Sequence, residues 1–505
     1  MKILAMYLPQ FHKVKENDEW WGEGYTDWVS ASNAVPLYEG HYQPHIPQNK
    51  YYYDLMEKST FEWQTSLMKK YGIDGQCIYH YWFKDGRQIL EKPIEKLLEW
   101  KEIDMPYCFC WANQSWANSW SGVKGANIWC DIREKKRGNH NESGLLLEQQ
   151  YGDKREWRKH FDYLLPFFKD ERYIKVENKP VFVLYQAMLI TVLGEMSERW
   201  NAWAKAEGFA GIYFIGAGSR DTTLVDAVLY PGPQTSMSDM LAELEGSELK
   251  VLNYKDVWEK TLNKAYENEN GTFGAFVGYD DTPRRGTRGC VIDGESAEIF
   301  KESFMELLAV NEAHGQIFTF INAWNEWGEG MHLEPDEKSG AAYLRAVCYS
   351  KMHYKEYLSK VKQIEEKFYK NQKKEISYYQ NKVIRYEGYW KILDKWLLLK
   401  EKNKSIADLL EMRNIHTIIL YGVGMLGKHV INDLYGSKIE IICAMDKSNL
   451  DGEFAFPVIG IDDDIPQADA ILITPVYDFS NIKELLEKKG QSSIISLDDL
   501  FEKNF

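Results

Sequence analysis

The chain has 505 residues, 44% hydrophobic and 27% charged, the composition of a soluble globular protein long enough for two or three domains. Its net charge of -15 opposes nucleic-acid phosphates, and its seven cysteines, odd in number and without CxxC spacing, fit thiols in a reducing compartment. No apolar run approaches the ~20 residues of a membrane-spanning helix, and the opening Met1 to Pro9 is too short for a secretory leader, so a cytoplasmic location is expected.

Short apolar runs recur through residues 1–350: Ile3 to Leu8, Cys77 to Trp82, Tyr107 to Trp111, Val181 to Tyr185, Ile212 to Ile215, Ala227 to Tyr230, Ala275 to Tyr279 and Ile317 to Asn322. Amphipathic stretches such as Phe61 to Tyr71, Pro93 to Trp100, Trp157 to Phe168 and Ala297 to His314 separate most of them. Strands alternating with helices predict a parallel sheet in an α/β fold, and eight such units fit a (β/α)8 TIM barrel. The alternative is a doubly wound open sheet. The barrel is preferred because polar aromatic clusters follow many different strands instead of lining one crevice.

Residues 351–412 have helical spacing and no strand signal, and Lys and Arg outnumber Asp and Glu there. Trp390, Trp396 and Leu397 to Leu399 supply an apolar side. This segment reads as a helical linker; the sharper alternative is peripheral contact with an anionic inner membrane face. Residues 413–505 open with the strand Thr417 to Tyr421, followed by Gly422, Gly424 and Gly427 in GxGxxG spacing, a helical pattern, and a second strand, Ile439 to Ala444, ending at Asp446. That order is the context of a Rossmann-like α/β domain whose glycine turn could bind a nucleotide, against a degenerate structural or dimerisation domain.

Barrel enzymes carry their sites at the C-terminal strand ends. Read in order, those ends give Gln10 and His12; His80, Tyr81 and Trp82; Trp111, Asn113 and Gln114; Tyr185; Tyr279, Arg284 and Arg285; and Asn322, Trp324, Asn325, Glu326, Trp327 and Glu329. Aromatic faces beside hydrogen-bonding groups suit a sugar, and all but the two glutamates are expected to bind substrate. Glu326 and Glu329, three residues apart between tryptophans and glycines, are the candidate catalytic pair, because glycoside chemistry commonly needs two carboxyl groups. Arg284 and Arg285 suit a phosphate or carboxylate, or else a salt bridge to Asp280 or Asp281. There is no GxSxG, HExxH or P-loop, and no Asp-x-Asp in residues 1–350, so neither a metal nor a cofactor is expected.

Several segments together resemble the WbsX-type glycosyltransferases of bacterial surface polysaccharide synthesis, which are related to the endo-α-mannosidases of glycoside hydrolase family 99. They are Tyr7 to His12, Trp20 to Trp28, Gly40 to Pro44, Tyr79 to Phe83, Trp111 to Asn113, Thr282 to Arg285, Asn322 to Gly330 and Leu333 to Pro335. The resemblance covers residues 1–350 and implies a metal-free barrel in which Glu326 deprotonates the sugar 2-hydroxyl and Glu329 is the acid/base. The chain departs from the family pattern at Gln114, Ser115, Asn118 and Ser119, where Glu, Asn and Arg are usual, and at Asp27, where Glu is usual. Three functions are carried forward. The first is a glycosyltransferase of O-antigen, capsule or lipopolysaccharide assembly acting on nucleotide-sugar or lipid-linked substrates. The others are a retaining endo-acting hydrolase or transglycosylase, and a non-catalytic carbohydrate-binding protein.

Overall fold

A strand such as Tyr107–Trp111, buried along its whole length, belongs in the middle of a sheet covered on both faces. Eight strands of this kind form in the first part of the chain: β1 (Lys2–Tyr7), β2 (Gly75–His80), β3 (Tyr107–Trp111), β4 (Lys179–Leu184), β5 (Tyr213–Ala217), β6 (Ala227–Tyr230), β7 (Thr272–Phe273 and Ala275–Phe276, on either side of Gly274) and β8 (Phe318–Asn322). In this computed structural model each pairs in parallel with its sequence neighbour. The first half of β7 pairs with β6, at Thr272 and Leu229; the second half pairs with β8, at Ala275 and Ile321. β8 then pairs with β1, at Phe318 and Lys2, and the ring closes. Closure excludes the open-sheet alternative and gives a (β/α)8 barrel.

The structure describes residues 1–117, 145–218, 223–242, 244, 249–446 and 454–502. It divides into two compact units, Met1–Glu366 and Lys367–Phe505. In the first, the helices Lys58–Lys70, Lys92–Glu99, Lys154–Lys169, Leu193–Ala206, Tyr254–Glu267 and Ala297–Ala313 alternate with the strands. Several begin at side-chain caps: Asp153 forms a capping box with Glu156, Asn253 accepts from Lys255 and Asp256, and Ser296 accepts from Ile299. Strand side chains alternate between the lumen and the helix layer. Met6, Tyr79, Cys110, Val183 and Asn322 line a small cavity in the barrel lumen, whereas their neighbours on the same strands face the helices.

In the second unit five parallel strands, β9 (Thr417–Tyr421), β10 (Glu440–Met445), β11 (Val458–Ile459), β12 (Ala470–Ile473) and β13 (Ile494–Ser496), are ordered β11-β10-β9-β12-β13. The linker region is largely one helix, Leu358–Glu401. Its later residues Ile392, Trp396 and Leu399 pack into the core of the second unit. Among the described residues, no helix is long and apolar enough to cross a membrane.

Candidate active site

Beyond β8 the chain turns back on itself. Asn325–Glu326 pairs antiparallel with Met331–His332, and the turn between them, Trp327–Glu329, is a single 3-10 turn. This places Glu326 and Glu329 against Arg284, which rises from the short helix Thr282–Arg285 after β7. Arg284 Nη1 donates to Glu329 Oε1 at 2.5 Å, and Nη2 donates to Asp27 Oδ1 at 3.0 Å and reaches Glu326 Oε2 at 3.5 Å. One buried guanidinium therefore faces three carboxyl groups. Asp27 also takes the Gly328 N–H at 3.1 Å. A side chain at 328 has no room, since a Cβ would lie 2.7 Å from Asp27 Oδ2 and 2.8 Å from Arg284 Nε.

Burial and nearby negative charge shift the two glutamate carboxyls upward. Glu326 is held well above the usual carboxylate range, first by burial and then by the charge of Glu329, with Arg284 opposing. Glu329, whose side chain keeps 12% exposure, is pushed up to about 7 by burial against the pull of Arg284. Glu329 therefore titrates in the range where general acid–base catalysis near neutrality operates.

Glu334 lies beneath this pair and was not singled out as a site residue. Its Oε1 accepts from Trp324 Nε1 at 2.9 Å and Gln64 Nε2 at 2.8 Å; its Oε2 accepts from Trp327 Nε1 and the Tyr53 hydroxyl, both at 2.8 Å. Burial raises this carboxyl to about 7 while the donors pull it down. The only sequence signal was its place in the Leu333-Glu334-Pro335 motif.

The expected site residues separate into two groups. Tyr81, Tyr185 and Tyr279 stand near the glutamates, and the nearby negative charge of Glu326, Glu329 or both adds to burial in raising their hydroxyls. Asn322 and Tyr185 line the lumen cavity. His80 and Trp111, in contrast, alternate away from the lumen. His80 Nε2 lies 2.8 Å from His160 Nε2 on the helix Lys154–Lys169, and Trp82 stacks on the same imidazole at 4.4 Å, with Trp111 edge-on at 4.9 Å. The lumen positions next to them on β2 and β3 are Tyr79 and Cys110.

Other expected ligands are held by contacts within the chain. Asn325 exchanges hydrogen bonds with the Leu8 backbone, at 2.8 Å to its N–H and 3.0 Å to its carbonyl, tying the end of β8 to that of β1. Asn113 does the same for the chain after β4, through Gln186. Trp324 and Trp327 are fully buried with their indoles on Glu334. His12 rests on the Pro9 carbonyl, and burial lowers its pKa to about 4. Gln10 is buried and its carbonyl accepts from Asp27 N, while Gln114 is half-buried. Arg285 pairs with Asp281 at 3.1 Å, the salt-bridge reading left open for it. Arg284 pairs with Asp27 and the two glutamates, whereas Asp280 accepts from His41 and Gln43. Asn118 and Ser119 lie outside the described residues.

A cation has one candidate holder among the described residues: His45, His332 and Asp336, whose ligand atoms lie within 4.8 Å of one another. His45 Nδ1 and His332 Nε2 are already hydrogen-bonded to each other at 2.9 Å, and the Lys338 charge acts on both imidazoles, which weighs against a further cation. In the second unit the glycine turn is closely packed: a Cβ at Gly427 would lie 2.1 Å from the Gly422 carbonyl oxygen, while Gly424 faces open space. Asp446 Oδ2 accepts the Val423 N–H of that turn at 2.8 Å.

A family model described as Glycosyltransferase WbsX matches residues 3–347. Two curated relatives, both named uncharacterized protein WxcX and from two strains of Xanthomonas campestris pv. campestris, are 29% identical over 358 residues, 68% of this chain and 49% of theirs. The chain thus spans about half the length of those relatives. Among solved structures, a GH99 endo-α-mannosidase from Bacteroides thetaiotaomicron aligns with 71% of this chain and 98% of its own, at 15% identity and a TM-score of 0.42. A glycoside hydrolase-like protein aligns with 69% and 93% respectively, at 13% identity and a TM-score of 0.42.

Proposed function

The chain belongs to the WbsX glycosyltransferase family, a family of carbohydrate-active enzymes, and from that premise we propose that it transfers a glycosyl group during bacterial surface polysaccharide assembly, using Glu326 and Glu329. The observation that carries the reading is the gathering of both glutamates on Arg284 at the C-terminal end of a closed barrel, beside a tyrosine-lined cavity. In this reading Glu326 takes the proton of the donor sugar 2-hydroxyl as that oxygen closes on the anomeric carbon. Glu329 gives its proton to the departing oxygen, then takes one from the acceptor hydroxyl that reopens the ring with net retention, while Glu326 returns its proton to the 2-oxygen. Glu334 holds Trp327 and, through it, the turn carrying both glutamates.

One observation favours a second reading, cleavage of a glycosidic bond by water at the same pair. Both arginines of the loop after β7, which would suit a donor phosphate, already neutralise carboxylates. The test is incubation of the protein with a panel of nucleotide sugars and of lipid-linked and free α-mannoside and rhamnoside oligosaccharides. Products are followed by mass spectrometry, with Glu326→Gln as control. Elongation lost in the control supports transfer; cleavage lost in the control supports hydrolysis; neither reaction in the parent chain refutes both.

A further inference from the structure

The helix Leu358–Glu401 has an exposed stretch, near whose end Arg385 lies over the Tyr477 ring at 5.0 Å. From Ile376 to Glu387 every side chain is exposed. Isolated helices of this length are marginal in water and draw most of their stability from packing, so this stretch is short of a partner. Most of its exposed apolar residues form one stripe, with Tyr378, Ile384 and Leu398 lying off it. Ile376, Tyr379, Val383, Tyr386, Trp390 and Leu397 fall at alternating steps of three and four, completed by the half-buried Leu393 between the last two. Ile376, Val383, Trp390 and Leu397 are 52%, 54%, 68% and 64% exposed.

We infer that this stripe is the seam of a parallel coiled coil with a second copy of the chain. A repeat averaging 3.5 residues keeps a narrow seam facing one supercoiled partner helix. A helix lying on a globule or a membrane follows the 3.6-residue period and shows a broader apolar face. Charge selects the partner and its direction. Lys382 precedes one seam residue and Glu387 follows the next, so they occupy the two flanking positions of the repeat. In a parallel, in-register pair, Lys382 of each chain meets Glu387 of the other, giving two oppositely charged contacts between identical sequences.

Sedimentation velocity of the full chain over a concentration series is expected to give a dimer. Val383→Asp is expected to shift it to monomer. Lys382→Glu and Glu387→Lys alone are each expected to weaken association several-fold, and the double reversal to restore it, a rescue that misfolding cannot mimic. Under mild oxidation Val383→Cys is expected to form an interchain disulfide that the parent chain does not. A monomer at every concentration overturns the inference, and so does a dimer untouched by these substitutions. A dimer that Val383→Cys fails to cross-link overturns the parallel arrangement. A monomer that pellets with vesicles containing anionic lipid, and not with neutral ones, assigns the stripe to a membrane instead.

Discussion

Glu334→Gln is the perturbation whose cost can be worked most directly. The native carboxylate accepts two hydrogen bonds at each oxygen, and each oxygen has one tryptophan among its donors: Trp324 on Oε1, Trp327 on Oε2. An indole N–H cannot accept. Gln64 is no freer to reverse, because its own Oε1 accepts the Tyr7 hydroxyl at 2.8 Å. Whichever way the new amide is oriented, its NH2 points at one buried indole N–H. That orphaned donor costs about 1–3 kcal/mol, and the loss of charge on the remaining bonds about as much again, so destabilisation of roughly 2–5 kcal/mol is expected. Urea unfolding of the parent and variant chains reads this as a fall in midpoint at unchanged slope. Turnover is expected to fall further than the folded fraction does, because Trp327 sits in the turn between the two glutamates. A destabilisation below about 0.5 kcal/mol, the size of an ordinary surface substitution, would refute the reasoning and mean that these indoles find another acceptor.

Further outcomes follow from the residues around Arg284. Glu329→Gln is expected to cost about 10²–10⁴ in rate, measured by product formation, and a variant with parental turnover contradicts the acid/base role. Because the folded value stands above 4.5, ionisation of Glu329 withdraws stability as pH rises from about 4.5 to 7, so the variant is expected to be no less stable than the parent in melts at pH 8. Arg284→Met leaves Asp27 and the glutamates without their counter-ion and is expected to cost about 3–5 kcal/mol of stability together with activity, measured by urea unfolding and product formation. Gly328→Ala puts a methyl group against Arg284 and Asp27, and a variant with parental turnover would show that the turn can yield.

The barrel was legible because each strand is a short run buried on both faces, and such runs stand out against amphipathic helices. What the sequence could not place was the direction of side chains at the strand ends. His80 and Trp111 look as suited to a sugar as Tyr79 does, yet a one-residue step on a strand separates the lumen from the helix layer. β3 has the expected bounds, whereas β2 ends at His80, two residues before the expected Trp82. Arg284 was visible as a cation in a pocket. Its partners Asp27, Glu326 and Glu329 come from two loops about 300 residues apart in sequence, and spacing along the chain carries no trace of that meeting. Glu334 was hidden for a related reason: its four donors come from three separate segments.

In the proposed mechanism the division of labour between the glutamates turns on Arg284. In the free site its closer contact is with Glu329, at 2.5 Å, against 3.5 Å to Glu326, which favours the anion at Glu329. The first proton taken up by the pair therefore settles on Glu326, the residue that must be ionised to act as base on a 2-hydroxyl. Substrate has to reverse this order. A modest swing of the guanidinium from Glu329 toward Glu326 does so in one movement, since the glutamate it approaches is stabilised as the anion and the one it leaves takes the proton. If Arg284 works in this way, Glu329 is the acid in the occupied site. A substrate with an activated aryl leaving group, which departs without protonation, then restores the first step in Glu329→Gln but not in Glu326→Gln. Burst kinetics of aryl release measure that step directly. Rescue in Glu326→Gln alone would mean that Arg284 stays with Glu329 throughout and that the two roles are exchanged.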